Sequence, residues 1–365
     1  MDKHIEWEFL TNQPSKEIFL EWDKLCENNP GSVASSFSEF SKNSEELIYA
    51  SEVVYALGYT NKDLVCAIPL FKKQKKICFL NCNVLQITNH NHLDMYIIPG
   101  QNLWDANQLF ARFLKAIKHQ LKHWDYFQAR NLAVDTPLAE SVHLPDYQNE
   151  TAYFTVDNNL KITNIIPKKL LKNIDRLQKK LCSDSQELHL KTHNSSEEIS
   201  EALDTFMEIE DSGWKGKSGT SIISDDKTHQ FYKKTWQSFS ETSKSSIYSL
   251  ILGDTTIAAA IAFRHNDSIY LHKITYSEEL TQFGPGSILI KMIIETALSD
   301  NTLSTLCLNT NPKWADRWHP KIIKLQGVES FNLSMKGIAL KLLFTLYRTA
   351  KKIKDKIKQQ KTIQT

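Results

Sequence analysis

The sequence has no uninterrupted apolar run of the roughly 18 to 20 residues that a membrane-spanning helix needs. Its opening stretch, MDKHIEWEFL, also lacks the basic start followed by a long apolar segment that marks a secretory signal peptide. These absences argue against an integral membrane protein and against a secreted one. We therefore predict a cytoplasmic protein, with any membrane contact confined to peripheral attachment at the inner membrane.

Cysteine is scattered, which argues against the common cysteine-based sites. Of six cysteines, Cys78 and Cys82 alone lie close together, and a C-x3-C spacing is neither a zinc knuckle nor a redox motif. We expect reduced thiols and no cysteine or serine nucleophile. His90, His92 and Asp94 alternate along one face of a possible strand, where they would be nearly collinear and a poor tetrahedron, so no metal site is predicted.

Charge of both signs is present but unevenly distributed. The formal net charge is +2, whereas the segment from Lys336 to Lys361 carries nine Lys or Arg residues against Asp355 alone, a charge of +8 that leaves −6 on the rest of the chain. The mildly acidic body argues against nucleic-acid binding. The basic C-terminal segment is expected to pack as an amphipathic helix up to about residue 350, with weak attraction to an anionic membrane surface beyond.

Residues 1–160 are predicted to form a mixed α/β domain. An apolar helical period marks PSKEIFLEWDKLCEN, with Trp22 facing inward, and DANQLFARFLKAIKHQL. Between these helices, EVVYALGY, DLVCAIPLF and KICFLNCNVLQI are β-rich runs separated by turns, which predicts an antiparallel meander. WDYFQARNL then predicts a strand, and the polar, turn-rich residues 145–164 predict a domain boundary.

Residues 161–335 form the second predicted domain, and the order of their elements is more informative than any single motif. Helices are predicted over IPKKLLKNIDRLQKKL, SSEEISEALDTFMEIEDSGW and residues 226–240, the second opening with a capping box from Ser195 or Ser196 to Glu198. Three strand-like runs follow, SSIYSLIL, TTIAAAIAFRH and SIYLHKITYS. A glycine turn, an apolar helix, the strand LSTLCLN, a Trp-rich loop and a strand near ESFNLSM come next, and residues 336–365 are the basic helix and tail.

The stretch TQFGPGSILIKMIIETAL places two glycines directly before an apolar helix. Gly284 and Gly286 can adopt positive φ, so successive N–H groups, including that of Ser287, would point into one concavity at the positive end of the helix. Gln282 stands where a Q/R-x-x-G-x-G/A phosphate loop begins, although the spacing is one residue short. The turn predicts either a structural corner or a phosphate site, and its place between a strand and a buried helix favours the second.

Four stretches follow one another in a characteristic order: PKKLLKNIDRLQKKL, FMEIEDSGWKGKSGTSI, FYKKTW and YLHKITYSEELTQFGPGSILIKMIIETA. Together they resemble the acetyltransferase domain of bacterial cellulose-biosynthesis-associated proteins, a branch of the GNAT superfamily related to Fem-type aminoacyltransferases. The resemblance covers roughly residues 165–320. It implies an α/β (α+β) fold with two GNAT-like halves in tandem, each a mostly antiparallel sheet flanked by helices. It also implies acetyl-CoA or another acyl-CoA as co-substrate and no metal, with the acyl-CoA contacts at Gln282, Gly284, Gly286, Ser287 and Lys273.

Two positions depart from the family pattern. The acidic residue that often follows the third strand is Ser277 here, and a Gly-x-x-x-Tyr-Lys-like element is replaced by NTNPKWADRW. Either change indicates altered substrate choice or lost activity. A non-catalytic GNAT-like scaffold for polysaccharide assembly therefore stays an alternative.

Three side chains are candidates for the proton transfers of such a reaction. Glu210, at a helix end beside a glycine-rich loop, would be the base for the amine or a solvated helix carboxylate. His272 lies within the third strand, where a histidine suits proton transfer near neutral pH or simply packs. Tyr276 is predicted on the same strand face as His272, where it would protonate the leaving thiolate or anchor the strand.

Large aromatic residues in two loops are candidates for acceptor binding. Trp214 would form a lid or a binding wall, and the neighbouring Lys215 would contact an anionic group or remain solvated. Trp314 and Trp318 would stack on a sugar ring or form an ordinary hydrophobic plug.

The sequence thus predicts a transferase that moves an acetyl or other acyl group from acyl-CoA to an amine by direct attack on the thioester. The expected acceptor is a small molecule or a glycan precursor, such as an amino sugar of the cell envelope. A Fem-type enzyme with aminoacyl-tRNA as donor, and the non-catalytic scaffold, are the two alternatives.

Overall fold

The computed structural model describes residues 4–48, 52–87, 95–134, 137–139, 144, 147, 149–182 and 187–363. Twelve strands are found in these ranges: β1 Glu6–Leu10, β2 Glu52–Thr60, β3 Asp63–Ile77, β4 Leu80–Ile87, β5 Tyr126–Leu132, β6 Asn149–Thr155, β7 Leu188–His193, β8 Ser245–Leu252, β9 Thr255–His265, β10 Ser268–Tyr276, β11 Thr305–Cys307 and β12 Lys321–Phe331. Ten α-helices accompany them in the same ranges: α1 Lys16–Glu27, α2 Ser38–Ile48, α3 Ala106–Gln120, α4 Ile162–Ile165, α5 Lys168–Leu181, α6 Ser196–Ser212, α7 Trp214–Lys217, α8 Asp226–Glu241, α9 Pro285–Leu298 and α10 Met335–Ile363. Short 3-10 helices at Glu278–Phe283 and Lys313–Trp318 border the region discussed below.

The strands form a single sheet in the order β1-β2-β3-β4-β5-β12-β6-β11-β10-β9-β8-β7. Its neighbours are antiparallel except for the pairs β4–β5 and β10–β11. β12 joins the two halves of the sheet, since Lys321–Leu325 pairs with β6 and Gln326–Phe331 pairs with β5. The predicted fold class, a mostly antiparallel central sheet flanked by helices, is confirmed.

The two halves of the sheet repeat one succession of elements. In the first, β2, β3 and β4 form an antiparallel meander, and β5 returns parallel to β4 after helix α3. In the second, β8, β9 and β10 form the meander, and β11 returns parallel to β10 after helix α9. The predicted boundary at residue 160 stays a prediction, and the sheet adds that β6 lies among the C-terminal strands.

Helices cover both faces of the sheet, and one apolar core contains helices from both halves of the chain. On one face, α2 packs against α8 through Phe40 and Phe231, whose ring centroids are 5.1 Å apart. The same apolar cluster contains Trp22 of α1 and Phe206 of α6. On the other face, α9 buries its apolar residues against β8, β9 and β10, and α3 covers the N-terminal strands.

The one predicted helix cap is present at the start of α6. Ser195 caps α6, since its hydroxyl accepts from the Glu198 N–H at 3.3 Å and donates to the Glu198 carboxylate at 3.2 Å, as in the predicted capping box. Trp22 is fully buried on α1, as its helical spacing predicts. α10 buries Leu340 against the sheet, but Ile338, Leu342 and Leu346 are exposed, so its first half packs less completely than predicted.

Some elements differ from the prediction. β6 lies within the segment predicted as a turn-rich boundary, and β12 begins ahead of the predicted strand near ESFNLSM and ends at Phe331. The candidate metal-site residues His90, His92 and Asp94 lie outside the described residues. Within the described ranges, no helix is long and apolar enough to cross a membrane.

Candidate functional site

A cavity of about 420 Å³ opens where two parallel strands part. β10 pairs with β11 over Ser268–Tyr270, but it continues along β9 to Tyr276, while β11 ends at Cys307. The last two thirds of β10, from Leu271 to Tyr276, therefore border the cavity along the edge that no longer pairs with β11. Leu308, Thr310 and Pro312, which follow β11, form the opposite wall.

A β-bulge in β10 decides which way its side chains point. Leu271 pairs with Ala262 and Lys273 pairs with Ile261, so His272 is the extra residue. His272 packs against α8, whereas Tyr276 lies against α9, where a Cβ added to Gly286 would be 3.2 Å from its ring. The prediction that His272 and Tyr276 share one face by simple alternation is therefore wrong, although both line the cavity.

The glycine turn forms the edge of the cavity at the start of α9. Gly284 has φ +63 and ψ 50, the left-handed conformation that the sequence predicts, and Pro285 follows at the first helical position. The N–H groups of Ser287 and Ile288 both donate to the Gly284 carbonyl, at 2.9 and 3.2 Å. Within the described part of the chain, the Gly286 N–H has no hydrogen-bond acceptor. It is thus the donor that the turn leaves for a ligand.

Two polar residues that sequence reasoning did not select stand beside this turn. Arg317 lines the cavity and donates from Nη2 to the Ser287 hydroxyl at 3.3 Å. Thr281 also lines it, whereas the predicted contact Gln282 is exposed. Arg317 was visible only as one of several charged residues in a loop, because nothing in the local pattern shows that the loop folds back onto α9.

His272 forms a polar pair with Tyr232 inside an aromatic cluster. Its Nε2 lies 3.0 Å from the Tyr232 hydroxyl, and its ring centroid lies 4.7 Å from that of Trp236. Tyr232 and Trp236 come from α8 and stack on each other at 5.1 Å. The FYKKTW stretch was part of the sequence resemblance, but the pairing of Tyr232 with His272 depends on packing between α8 and β10.

Glu210 is almost fully buried and is the centre of an ion cluster. Its Oε1 accepts from Lys215 at 2.5 Å and from Lys273 at 3.5 Å, and its Oε2 accepts from the Ile222 N–H at 2.9 Å. Burial raises the pKa of Glu210, but the charges of Lys273 and Lys215 and these hydrogen bonds outweigh it, so the pKa is lowered. The carboxylate is therefore ionised and already bound, which makes it a weak proton acceptor near neutral pH.

Trp214 and Lys215 border a smaller recess of about 70 Å³ that shares Ile274 and Tyr276 with the main cavity. Trp214 is 63% exposed, and its backbone N–H donates to Glu278 Oε1 at 2.8 Å. Lys215 is committed to Glu210, so it is not the solvated lysine of the alternative interpretation.

The two loop tryptophans separate in the structure. Trp314 is 37% exposed and lines the main cavity, which suits the predicted stacking role. Trp318 is fully buried, with its ring 6.4 Å from Phe154, so it belongs to the core and has no face available to a sugar. The 3-10 helix Lys313–Trp318 turns one tryptophan outward and the other inward, a distinction that loop sequence alone does not carry.

The main cavity therefore brings together His272, Lys273, Tyr276, Gly284, Gly286, Ser287 and Trp314 of the predicted residues. Glu210, Trp214 and Lys215 lie at the adjoining recess. Among the described residues, no group of three or more His, Cys, Asp or Glu side chains is arranged to hold a metal ion.

Comparison with known proteins places this geometry in context. Residues 168–313 match the family model of the acetyltransferase (GNAT) domain. A solved structure of FemX is 10% identical, with 92% of this chain and 99% of that chain covered at a TM-score of 0.62. The C-terminal domain of a putative lysylphosphatidylglycerol synthetase from Agrobacterium fabrum is 10% identical, with coverages of 89% and 95% and a TM-score of 0.54. L-PGS from Bacillus licheniformis is 12% identical, with coverages of 92% and 98% and a TM-score of 0.51.

A search of curated proteins found no match to the sequence. At these identities the structural likenesses show the fold alone, and the family match supports a GNAT-type domain over residues 168–313, as the sequence resemblance implies. The closer likeness to the cellulose-biosynthesis branch stays a prediction.

Proposed function

We propose that the protein is an acyl-CoA-dependent N-acyltransferase whose donor binds in the cavity between β10 and β11. The parting of these parallel strands beside the N-terminus of α9 is the observation that carries the proposal. It provides an open strand edge for an extended amide-containing chain and a helix N-terminus for phosphate at the same cavity.

The residues of the turn fit a pyrophosphate group. The Gly286 N–H donates without competition, the α9 dipole adds positive potential, and Arg317 supplies a cation beside Ser287. Pro285 contributes no N–H, so the turn offers fewer backbone donors than a longer glycine loop would. Arg317 offsets this loss in the proposed site.

The bound thioester would supply an activated acyl group, and the side chains of this chain would move the protons. The acceptor nitrogen attacks the acyl carbon, so a C–N bond forms while the C–S bond breaks. We assign His272, paired with Tyr232, as the acceptor of the amine proton, and Tyr276 as the donor of a proton to the departing thiolate. Most of the rate enhancement would come from holding the reactants in line at the strand edge.

Glu210 has a positioning role in this proposal. Its carboxylate fixes Lys273 at the cavity wall and Lys215 at the recess, and it holds the Ile222 N–H behind them. Because its oxygens are occupied and its pKa is lowered, we assign it to structure rather than to proton transfer.

The acceptor would enter past Trp314 and Trp214, the two exposed tryptophans at the cavity and the recess. Large aromatic faces beside polar groups suit the ring of an amino sugar, which carries the required amine. The substrate class proposed is therefore an amino sugar or a related cell-envelope precursor, and acetyl-CoA is the simplest donor.

Aminoacyl transfer is the second candidate, because FemX and two lysylphosphatidylglycerol synthetase structures cover nearly the whole chain. The two candidates differ in their donor. Aminoacyl-tRNA binding would depend strongly on salt, because it neutralises many phosphates, whereas acetyl-CoA binding would depend on it weakly. Calorimetry with acetyl-CoA and with aminoacyl-tRNA at two salt concentrations separates them.

The first test is the binding of acetyl-CoA to the wild type and to Gly286→Asp. We expect saturable binding by the wild type and at least tenfold weaker binding by the variant. The new carboxylate lies beside the Gly286 N–H, where it occupies the space proposed for the phosphate and repels its negative charge. Thr296→Asp, on the exposed side of the same helix, is the matched control and should bind as the wild type does. No binding to the wild type at millimolar acetyl-CoA would reject the acyl-CoA proposal, and equal affinity of Gly286→Asp would place the phosphates elsewhere.

The second test concerns Tyr276. Tyr276→Phe keeps the ring but removes the proposed proton donor, so kcat for acetyl transfer to glucosamine should fall at least tenfold, with the KM for acetyl-CoA changed less than twofold. Free thiol release measures both constants. An unchanged kcat would assign thiolate protonation to water or to another group.

A further inference from the structure

A second concave region lies in the N-terminal half, on the face of the sheet opposite α3. Its volume is about 340 Å³, and α10 covers it with the side chains of Phe344 and Arg348. The floor is formed by β3, β4 and β5. This cavity shares no lining residue with the cavity at β10 and β11 among the described residues.

A row of polar side chains crosses the sheet at this second cavity, and its middle member, Gln128, lines the cavity. The strand register places Gln86, Gln128 and Glu329 side by side across β4, β5 and β12. All three are nearly fully buried. Buried polar side chains are stable when each has a hydrogen-bond partner. A buried polar group that lacks a partner therefore marks a position where a ligand would bind.

The acidic member of the row is fully committed. Glu329 accepts two hydrogen bonds from Arg348, at 2.6 and 2.9 Å, and one from the Tyr126 hydroxyl at 3.1 Å. This bidentate pair ties α10 to β12. The negative charge of Glu329 is therefore used within the protein and does not neutralise the other cations of the cavity.

Two further cations line the cavity with donor groups to spare. Lys75 donates to Gln86 Oε1 at 3.3 Å, and Arg130 places its guanidinium 5.7 Å from the Tyr147 ring centroid. Among the described residues, neither cation has a carboxylate within ion-pair distance. The Arg130 Nε and the Gln86 Nε2 are buried without an acceptor.

The electrostatics agree with an unfilled anion site. Burial lowers the pKa of Lys75, and the nearby positive charge of Arg130 lowers it further. The unpaired arginine nitrogen at this cavity costs free energy that an added acceptor would recover. Every unsatisfied group named here is a donor, so the missing partner is an acceptor.

We propose that this cavity binds the phosphate group of an anionic ligand, with Lys75 and Arg130 as its contacts. The planar arginine fork suits phosphate oxygens, and the lysine adds a second positive charge on the other side. The cavity has room for more than one phosphate, so the ligand is a phosphate ester carried by either a soluble metabolite or a lipid headgroup.

The experiment compares the wild type with the Lys75→Gln, Arg130→Gln double variant and with Lys76→Gln. Lys76 is the next residue of β3 and is exposed. The Lys76→Gln change removes one positive charge from the other face of the strand. Isothermal titration with sn-glycerol 3-phosphate at constant ionic strength is the first arm. We expect saturable binding by the wild type and by Lys76→Gln, and at least tenfold weaker binding by the double variant.

The second arm uses vesicles of phosphatidylglycerol, with vesicles of phosphatidylcholine as the reference. Preferential loss of phosphatidylglycerol binding in the double variant would assign the phosphate to a lipid headgroup, whereas loss in the first arm alone assigns it to a soluble ester. Equal binding of both probes by the double variant and Lys76→Gln overturns the proposal, as does the absence of binding in both arms.

Two controls separate this outcome from misfolding and from the proposed acyltransferase activity. Without ligand, the double variant should melt close to Lys76→Gln, because the relieved repulsion between Lys75 and Arg130 offsets the lost hydrogen bond to Gln86 and the lost contact with the Tyr147 ring. Its affinity for acetyl-CoA should equal that of the wild type, since the two cavities are separate. Failure of acetyl-CoA binding in all proteins would reject the proposed function and leave the phosphate result unaffected.

Discussion

At the scale of single residues, Glu210 shows why a side chain's chemistry follows from its partners. A carboxylate at a helix end beside a glycine-rich loop suggests a base, and the sequence offers no sign of burial. In the fold, two lysines from different elements, Lys215 and Lys273, converge on it. Their charges turn a candidate base into a stable anion.

This interpretation predicts a large stability effect for Glu210→Gln. Removing the charge leaves Lys215 and Lys273 without their buried partner, so the free energy of unfolding should fall by about 3 kcal/mol. Urea denaturation at pH 7 measures it. Glu208→Gln, on the exposed side of the same helix, is the control and should change the free energy by less than about 0.5 kcal/mol. A loss as small as that of the control would contradict the buried ion cluster.

The same residue predicts a pH dependence whose sign is fixed by its lowered pKa. Ionised Glu210 stabilises the fold above its ordinary pKa of 4.5, and this contribution disappears as the pH falls through the lowered pKa of the folded state. Glu210→Gln lacks it at every pH. The difference in unfolding free energy between the wild type and the variant should therefore be largest near neutral pH and shrink below pH 4.5. A constant difference down to pH 3 would assign the effect to packing.

The sequence predicted the conformation of a residue where the local backbone determines it. It did not predict burial or side-chain partners, because contacts with distant residues determine those. Gly284 adopts positive φ as predicted because the turn needs it. Trp314 and Trp318 have the same local sequence environment, yet one is exposed and the other is buried. Tyr232 and Arg317 reach the site from distant parts of the chain, and no local pattern shows which residues they contact there.

At the scale of elements, strands and helices with clear periodicity were predicted well. The two meanders and the helices after their third strands were recognisable from alternating or 3.6-residue patterns. β6 was not, because Asn149, Glu150 and Thr155 give it a polar sequence, and its burial comes from β11 and β12 on either side. The bulge at His272 was also invisible, and one extra residue there reversed the expected facing of Tyr276.

The turn before α9 gives a prediction at this scale. Gly284→Ala should lower the free energy of unfolding by about 1 kcal/mol, because an alanine pays a backbone cost in the left-handed conformation. The space beside it is adequate, since an added Cβ would lie 3.5 Å from Leu177. Gly284→Asn should lose less, because asparagine tolerates this conformation. Urea denaturation compares the two, and equal losses would show that side-chain crowding, not φ, sets the cost.

At the scale of the whole molecule, α10 links the sheet to a second, exposed apolar surface. Its inner side buries Leu340 and joins Glu329 through Arg348. Its outer stripe is formed by exposed apolar residues at helical spacing: Met335, Ile338, Leu342, Leu346 and Ile353. Lysines flank this stripe along the most basic segment of the chain. The combination suits the surface of an anionic membrane, although the sequence predicts membrane attraction only beyond about residue 350.

We therefore expect cosedimentation with phosphatidylglycerol vesicles that weakens as salt is raised, and little with phosphatidylcholine. The double variant Leu342→Gln, Leu346→Gln should bind at least tenfold more weakly, since it withdraws two apolar side chains from the stripe. Thr345→Gln, an exposed polar position between them, should bind as the wild type does.

The competing explanation for the same stripe is contact between two copies of the chain, and the variants separate the two. If the stripe binds membranes, the wild type is monomeric in gel filtration, and the two leucine changes weaken vesicle binding without changing the oligomeric state. If the stripe joins two copies, the wild type is a dimer, and the two leucine changes dissociate it. In that case the same changes leave vesicle binding intact. The second pattern would reject the membrane assignment, because the apolar side chains cannot be buried in a dimer and in the lipid interface at once.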